Sequence, residues 1–299
     1  MKTNLHQNTG NTSLYLYRIR QIQPELVLND INIINEGVMN VVIIVNNEIV
    51  FRFPRNEWAK DRLSIEYNIL KVIKDVLKAP IPTPIYCSDD VITYRMIPGR
   101  AIQQNDLLNN DLVVRQLGEL LTDLHSFSMQ VIQKAGIPAT YTTLTSEQWI
   151  EFYEDVQREL FPFLMDSAKF WINEHFKCLL DNTLSLDYNP TFIHGSIRPS
   201  HIIFDPNIKY ISGIIDFGTA GIGDPAEDIA GILNAIGETN FQKMHSFYCC
   251  TQDLLQRARF IAGTFELRWL LQGVRTNDLF WYMRHIGRAR DIWPIFHKD

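Results

Sequence analysis

Cysteine is scarce in this 299-residue chain, which has four, and none of them forms a C-x-x-C pair. The spacing therefore excludes the common zinc motifs and gives no sign of a disulfide framework. Cys249 and Cys250 are adjacent, and direct neighbours do not easily bridge to each other. We expect reduced thiols in a cytoplasmic protein.

Long apolar runs and an excess of positive charge are also missing. No run of about 18 apolar residues occurs, and the polar start MKTNLHQNTGNTSLYLY lacks the apolar core of a signal peptide. We therefore expect no membrane partner. The chain has 28 Lys and Arg against 34 Asp and Glu, for a formal net charge of −6. Since nucleic-acid binders normally have a basic face, we expect no nucleic-acid partner.

The composition that remains, with 46% hydrophobic residues, allows one large domain or two lobes with a core each. Near the N-terminus, β-branched runs at 41–45 and 49–53 flank Asn46 and Asn47 and predict a hairpin. Residues 59–77 have apolar residues at near-helical spacing. The first hundred residues are therefore predicted to form a small, mostly antiparallel sheet with one main helix.

The pattern changes after Gly99, where helices dominate. Residues 111–127 place leucines at the i, i+3, i+4 and i+7 spacing of an amphipathic helix. Further helices are predicted at 226–236 and 252–273, and a short sheet at 191–216. We predict an α+β fold with an N-terminal lobe, residues 1–97, and a larger, mainly helical C-terminal lobe, residues 98–299.

The segment TFIHGSIRPSHIIFDPNIKYISGIIDFG has the order of a phosphoryl-transfer centre. The protein-kinase pattern H-R-D-x-x-x-x-N places a catalytic Asp after a His and a metal-binding Asn after the Asp, and Asp-Phe-Gly follows. Here His194 opens the loop, Ser196 occupies the Asp position, and His201 occupies the Asn position. Asp216 begins Asp-Phe-Gly after an apolar strand. Order and spacing therefore predict a catalytic loop, with the candidate catalytic residues His194, Ser196, Arg198 and Asp216.

The two candidate metal ligands are His201 and Asp216, and the expected ion is Mg²⁺. A neutral imidazole can ligate a divalent ion, although Mg²⁺ prefers oxygen. His201 packing or hydrogen-bonding within the loop is the alternative. For His194 we expect a structural role, in which the side chain holds the loop in place.

Taken together, these motifs resemble the aminoglycoside and macrolide phosphotransferases, antibiotic kinases with a protein-kinase-like fold. The stretches EGVMNVVIIVNNEIVFRFPR, YRMIPGRAI, LGELLTDLHSF and DFGTAGIGDPAEDIAGIL carry the likeness, which spans nearly the whole chain. The resemblance implies a bilobal fold, in which residues 1–97 bind ATP or GTP and residues 98–299 hold the catalytic and acceptor sites.

The resemblance also implies which residues contact the nucleotide. Arg52 on the third strand would be a charged partner for phosphates, and Glu66 would be its helix partner. The hinge backbone would meet the purine. The candidate nucleotide-binding residues are Gly37, Asn40, Arg52, Glu66, Met96, Ile97 and Pro98. Gly37 alone does not make a Gly-x-Gly-x-x-Gly loop, so the phosphate-loop signal there is weak.

The departure from the family pattern is Ser196, because the family has an Asp there that orients or accepts the proton of the acceptor hydroxyl. A Ser hydroxyl is a poor base, and loss of a general base costs about 10²–10⁴ in rate. Three explanations stay open. A divergent enzyme could take its base from elsewhere, with Glu227, Asp224 or a residue of the helical lid as candidates. A pseudokinase could bind nucleotide without transfer, or Ser could be an engineered substitution in an active kinase.

The expected reaction is transfer of the γ-phosphate of a nucleoside triphosphate to a hydroxyl of an antibiotic-like small molecule. Tryptophans such as Trp149 and Trp269 would suit a bulky macrolide, although such aromatics also fit an ordinary core. The acidic stretch 147–159 would suit a cationic aminoglycoside, but it equally fits a solvated helix face. The sequence does not choose between these acceptors or between ATP and GTP. We expect a monomer or weak dimer.

Overall fold

The computed structural model describes residues 8–35, 39–107, 110–277 and 295. The chain forms two compact units. The first comprises Met1–Lys74 and Ile81–Ile97, and the second comprises Asp75–Pro80 and Pro98–Asp299. Asp75–Pro80 belongs to the second unit, whereas the sequence analysis placed it in the N-terminal lobe. The predicted lobes, 1–97 and 98–299, stay a prediction.

The first unit is built on one five-stranded sheet in which all neighbouring strands are antiparallel. The spatial order is β1-β2-β3-β5-β4. Its strands are β1 (Ile31–Ile34), β2 (Asn40–Val45), β3 (Ile49–Pro54), β4 (Pro84–Ser88) and β5 (Val91–Arg95), and its helices are α1 (Asn8–Ile22) and α2 (Glu57–Ile73).

The hairpin of β2 and β3 sets the register of this sheet. Asn46 and Asn47 both have positive φ, 53° and 52°, the backbone of a type I′ turn that Asn tolerates, and the Glu48 N–H closes it on the Val45 carbonyl at 3.0 Å. The predicted hairpin is therefore confirmed. Side chains alternate between the faces, so that Val41, Ile43 and Val45 are buried in one core cluster with Ile19 of α1.

The second unit is mainly helical. The helices are α3 (Gln104–Leu107), α4 (Asp111–His125), α5 (Met129–Lys134), α6 (Ser146–Glu159), α7 (Asp166–Leu180), α8 (Ala226–Met244) and α9 (Gln252–Thr276). The predicted amphipathic helix corresponds to α4, whose four spaced leucines are all buried. The α6 N-cap is Thr145, in a capping box with Gln148. Gly237 interrupts the helical backbone of α8 with φ 75° and ψ 166°.

Two small sheets, rather than the single one predicted at 191–216, frame the candidate catalytic loop. Strand β7 (Thr191–Ile193) pairs with β10 (Gly221–Gly223), while β8 (Ile202–Asp205) lies between β6 (Arg100–Ala101) and β9 (Tyr210–Ile214). The prediction missed this because β7 has no partner within the predicted range. The loop thus leaves one small sheet at Ile193 and enters the other at Ile202. Among the helices of the described ranges, none is long and apolar enough to cross a membrane.

Candidate active site

The N-terminal half of the loop is held by the carboxylate of Asp228, which is 0% exposed. Its Oδ2 accepts the backbone N–H of His194 at 2.8 Å, and its Oδ1 accepts that of Gly195, also at 2.8 Å. His125 Nε2 lies 3.2 Å from Oδ2, and His125 Nδ1 lies 2.7 Å from the hydroxyl of Tyr248. A buried carboxylate is stable only with such partners. Asp228 therefore anchors the loop and is not available as a base.

His194 holds the other side of the loop. The ring is fully buried, and its Nε2 lies 3.1 Å from the carbonyl of Ile215, so Nε2 carries the proton and donates it. Burial lowers the pKa of His194, which keeps the ring neutral. The carbonyl of His194 in turn accepts the hydroxyl of Thr219 at 2.9 Å. This side chain ties the loop to the residue just before Asp216.

Gly195 is required where the chain turns between these two anchors. Its φ is +74°, a left-handed backbone that glycine adopts without strain. A Cβ here would also lie 2.7 Å from the carbonyl oxygen of Thr219. A side chain at this position would push the loop off the segment that carries Asp216.

Burial alternates along the middle of the loop. Ile197 is 1% exposed, whereas Ser196 and Arg198 on either side are half-buried. The Ile197 carbonyl lies against α8, where a Cβ on Gly231 would come within 2.3 Å of it. The Arg198 guanidinium lies 4.6 Å from the ring centroid of Trp269, a cation–π contact. Ser196 and Arg198 are thus more accessible than Ile197, which fixes the loop to the core.

The C-terminal end of the loop brings the two predicted metal ligands together. His201 Nε2 lies 3.3 Å from Asp216 Oδ2, and His201 Nδ1 lies 2.7 Å from the Ser196 carbonyl. Since a carbonyl only accepts, Nδ1 bears the proton of a neutral ring and Nε2 presents a lone pair. Burial lowers the pKa of His201 to about 4, which favours this neutral form. Two hydrogen-bond acceptors therefore face each other across 3.3 Å, and both atoms are able to ligate a cation.

This pair fits Mg²⁺ on the count of protein ligands. No group of three or more His, Cys, Asp or Glu that could hold a metal occurs in the described ranges. Mg²⁺ is commonly bound through one or two protein ligands and completes its shell with waters and substrate phosphates. The Asp216 backbone has φ 71° and ψ 62°, in the left-handed region that is uncommon for residues other than glycine and recurs at functional sites.

Of the alternative bases considered from the sequence, Asp224 is excluded by its surroundings. Both of its oxygens accept hydrogen bonds from the buried guanidinium of Arg257, at 2.7 and 3.1 Å. It is 4% exposed, so its role is structural. Glu227 differs: it is also 4% exposed, but its contact with Arg268 is long, at 3.4 Å. Burial outweighs that contact and raises the pKa of Glu227 to about 7.

In the first unit, the structure brings Arg52 and Glu66 together. Arg52 Nη1 on β3 lies 2.6 Å from Glu66 Oε1 on α2, with both side chains buried. Asn40, the first residue of β2, is 7% exposed, and its Oδ1 has no hydrogen-bond partner among the described residues. Such an orphaned buried acceptor suits a ligand donor. Gly37 lies outside the described residues.

The predicted hinge residues, Met96, Ile97 and Pro98, differ in which of their backbone groups already make hydrogen bonds. The Met96 N–H donates to the Glu48 carbonyl at 2.7 Å. The Pro98 carbonyl accepts the Ser212 hydroxyl at 2.6 Å, and proline has no N–H. The remaining backbone N–H is that of Ile97, for which no partner occurs within the described part of the chain.

Sequence reasoning missed the residues that hold the loop from a distance. His125 contacts Asp228 and is itself in contact with Tyr248. Arg257 pairs with Asp224, and the Trp269 ring lies against the Arg198 guanidinium. Each comes from a helix or turn that is remote in sequence, and none lies in a motif that signals its partner. The Asp-Pro-x-x-Asp stretch at the start of α8 was the available signal for Asp224 and Asp228, and it did not identify their partners.

The comparisons with known proteins agree on the family. Residues 30–267 match the phosphotransferase enzyme family, APH. Viomycin phosphotransferase of Streptomyces vinaceus is 25% identical over 261 residues, which cover 82% of this chain and 88% of the relative. The GDP complex of wild-type aminoglycoside 2'-phosphotransferase-IIIa has a TM-score of 0.81 at 26% identity, with 92% of this chain and 96% of the other covered.

A more distant structure shows the same fold. Macrolide 2'-phosphotransferase type I has a TM-score of 0.73 at 18% identity, with 95% of this chain and 97% of the other covered. These likenesses confirm the predicted α+β, protein-kinase-like fold. Because the family match spans most of the sequence, from residue 30 to residue 267, the chain belongs to the phosphotransferase enzyme family.

Proposed function

We propose that this protein binds a Mg²⁺-nucleoside triphosphate and transfers its γ-phosphoryl group to an oxygen of a small-molecule acceptor. The observation that carries the proposal is the pair of facing acceptors on His201 and Asp216, 3.3 Å apart, at the end of a loop with the kinase order. When bound, Mg²⁺ would neutralise charge on the phosphate oxygens. The relatives act on antibiotics by name, so an antibiotic-like acceptor is the first class to test.

The residues of the second unit divide the work. His201 and Asp216 hold the metal, while His194 and Asp228 fix the loop that presents them. Arg198 supplies positive charge toward the phosphoryl group, and its contact with Trp269 limits its rotamers. In phosphoryl transfer such positioning and charge stabilisation supply most of the catalysis.

The residues of the first unit serve the nucleotide. Arg52, held by Glu66, would place a fixed guanidinium for the phosphates, and a planar fork suits their oxygens. Asn40 would accept a hydrogen bond from the ligand, and the Ile97 N–H would donate one to the purine ring of the nucleotide. The relative solved with GDP makes a guanine nucleotide the first to test, beside ATP.

Ser196 sets the rate of transfer to a hydroxyl. The serine hydroxyl can accept one hydrogen bond from an acceptor but does not take up its proton at neutral pH. Transfer to hydroxyls is therefore slower by about 10²–10⁴ than with a carboxylate at this position. This residue also favours a second candidate function, a protein that binds the nucleotide without transferring it.

Calorimetry with GTP and ATP, each with and without Mg²⁺, tests the proposal. We expect binding of at least one nucleotide that Mg²⁺ strengthens, because His201 and Asp216 need a cation between them. Absence of nucleotide binding with Mg²⁺ present would end the kinase proposal. Binding without transfer to any acceptor would leave the second candidate.

A further inference from the structure

The short helical turn that follows Asp216 is fastened to the candidate catalytic loop at two points. Phe217 is fully buried, and its ring centroid lies 4.7 Å from that of His194. Thr219, the last residue of the turn, donates its hydroxyl to the His194 carbonyl at 2.9 Å. The left-handed backbone of Asp216 persists only where its surroundings fix it. The position of the Asp216 carboxylate therefore depends on what holds Phe217 and Thr219.

A third contact with the turn comes from Thr140, in the segment between α5 and α6. Its hydroxyl oxygen lies 2.7 Å from the Thr219 carbonyl, and since a carbonyl only accepts, Thr140 donates this hydrogen bond. The N–H and the hydroxyl oxygen of Thr142 lie 3.2 and 3.0 Å from the same Thr140 oxygen, so both groups donate to it. The Thr140 side chain is buried, and its one proton and both lone pairs are thus in use.

The backbone of Thr140 is fixed to the strand that follows the turn. The Thr140 N–H donates to the Ile222 carbonyl on β10 at 2.9 Å, and the Ile222 N–H donates to the Pro138 carbonyl at 3.0 Å. A Cβ on Gly223, the next residue of β10, would lie 2.5 Å from Thr140 Cγ2. Thr140 therefore reaches the turn from a backbone that is itself held in place.

The loop, the turn and Thr140 meet beside Gly195. A Cβ on Gly195 would lie 2.7 Å from the Thr219 carbonyl oxygen and 3.3 Å from the Thr140 hydroxyl oxygen. Thr219 is held through its hydroxyl by the loop and through its carbonyl by Thr140. Removal of the Thr140 hydroxyl would release one of these two hydrogen bonds and leave the turn less firmly placed.

We propose that Thr140 is a positioning residue for the metal site. Its hydroxyl holds the turn after Asp216, and through that turn the carboxylate that faces His201. This inference rests on the proposed function, because Thr140 acts through a metal ligand of that function. Loss of a residue that holds a metal ligand in place typically costs about 10–100-fold in metal affinity. Loss of the Thr140 hydroxyl should therefore weaken the contribution of Mg²⁺ and spare the contacts of the nucleotide itself.

The experiment uses the full chain and two variants of residue 140. Thr140→Val keeps the shape of the side chain and removes the hydroxyl, whereas Thr140→Ser keeps the hydroxyl. Calorimetry gives the affinity for GTP and ATP with and without Mg²⁺, and the ratio of the two affinities is the Mg²⁺ enhancement. Thr264→Val is the matched control, because Thr264 is also buried and its hydroxyl donates to a carbonyl at 2.7 Å, that of Ile261 within α9. Urea unfolding gives the stability of each variant.

We expect Thr140→Val to lower the Mg²⁺ enhancement by about tenfold or more and to keep the affinity without Mg²⁺ within about threefold. Thr140→Ser should keep the enhancement within about threefold of that in the unchanged protein. Thr264→Val should lose a similar amount of stability, since it also removes a buried hydrogen bond, and should keep the full enhancement. The control thus separates a positioning role from a general loss of stability.

An enhancement in Thr140→Val equal to that in Thr264→Val would overturn the inference, as would an equal loss in Thr140→Ser and Thr140→Val. If Thr140→Val does not fold, Thr219→Val breaks the next hydrogen bond of the same series, to the His194 carbonyl. The same loss is expected there, and a full enhancement would again overturn the inference. If Mg²⁺ does not strengthen nucleotide binding by the unchanged protein, the proposed function fails instead, so the two failures are distinguishable.

Discussion

His201 and Asp216 face each other through two hydrogen-bond acceptors, with Nε2 of the imidazole 3.3 Å from Oδ2 of the carboxylate. The Ser196 carbonyl fixes this arrangement, because it accepts a hydrogen bond from the imidazole N–H at Nδ1. Nothing in the ring then donates toward Asp216. A cation between them would satisfy both atoms, and this arrangement supports the proposal that His201 and Asp216 hold a metal.

The first prediction concerns the metal. Asp216→Asn should remove the Mg²⁺ dependence of nucleotide binding, since an amide oxygen lacks the charge that attracts the ion. Calorimetry with and without Mg²⁺ measures this. Asp187→Asn, at an exposed position outside the loop, is the matched control and should bind as the unchanged protein does. Equal Mg²⁺ enhancement in Asp216→Asn would show that the metal lies elsewhere.

The second prediction concerns the buried pair of the first unit. Arg52→Ala removes the guanidinium that faces the buried Glu66 carboxylate. This loss should cost about 3–5 kcal/mol of unfolding free energy. The double variant Arg52→Met/Glu66→Leu should recover most of that stability and still fail to bind nucleotide. Urea unfolding and calorimetry measure the two properties separately.

An exposed ion pair serves as the control for this buried one. Arg115 and Glu119 form an exposed i,i+4 ion pair on α4, and Arg115→Ala should change stability little. Nucleotide binding by the stable Arg52→Met/Glu66→Leu variant, with unchanged affinity, would contradict a phosphate-binding role for Arg52 and leave the pair as a structural one.

The third prediction concerns the anchor of the loop. Asp228→Asn replaces one acceptor oxygen by an NH₂ group that would face the backbone N–H of His194 or Gly195. The clash of donors should cost about 2–4 kcal/mol of unfolding free energy. Chemical denaturation measures this, with Asp253→Asn in the exposed first turn of α9 as the control. A cost no larger than that of the control would mean that the loop is held by other contacts.

The fourth prediction is a pH dependence at Glu227, whose pKa burial raises to about 7 from an ordinary 4.5. The folded protein binds the Glu227 proton more tightly than the unfolded chain does. Unfolding free energy is therefore lost as pH rises from about 4.5 to about 7, by about 3 kcal/mol, and is level above that range.

Glu227→Gln removes this titration, so its stability relative to the unchanged protein should rise over the same pH range. Urea midpoints at pH 4.5, 6 and 8 measure the difference between the two proteins, in which the titration of all other groups cancels. A difference that does not change with pH would show that Glu227 is charged in the folded state throughout.

Local patterns in the sequence predicted most of the elements and the order of the site. The Asn46-Asn47 turn and the leucine spacing of α4 are local signals, and both elements form as predicted. The pairing of β7 with β10 was missed because the two strands lie on either side of the Asp-Phe-Gly segment. Secondary-structure patterns indicate that a strand exists but do not identify its partner.

The long-range contacts of the site could not be predicted for a related reason. Asp224 was considered as a base because its type and position allowed it. Only the fold brings Arg257, 33 residues away, into a bidentate contact with it. The raised pKa of Glu227 likewise follows from burial, which depends on packing between α8 and its neighbours. Residue type sets what a side chain could do, and tertiary surroundings decide which of those roles remain.

The central claim is that the nucleotide machinery is intact and that the limit on hydroxyl chemistry lies at Ser196. Single-turnover loss of the γ-phosphate to water, followed against nucleotide concentration with Mg²⁺ present, tests it in the unchanged protein and in Ser196→Asp. We predict half-saturation concentrations equal within about threefold and a plateau rate about 10²-fold or more higher in Ser196→Asp. Equal plateau rates, or saturation only in Ser196→Asp, would contradict the claim.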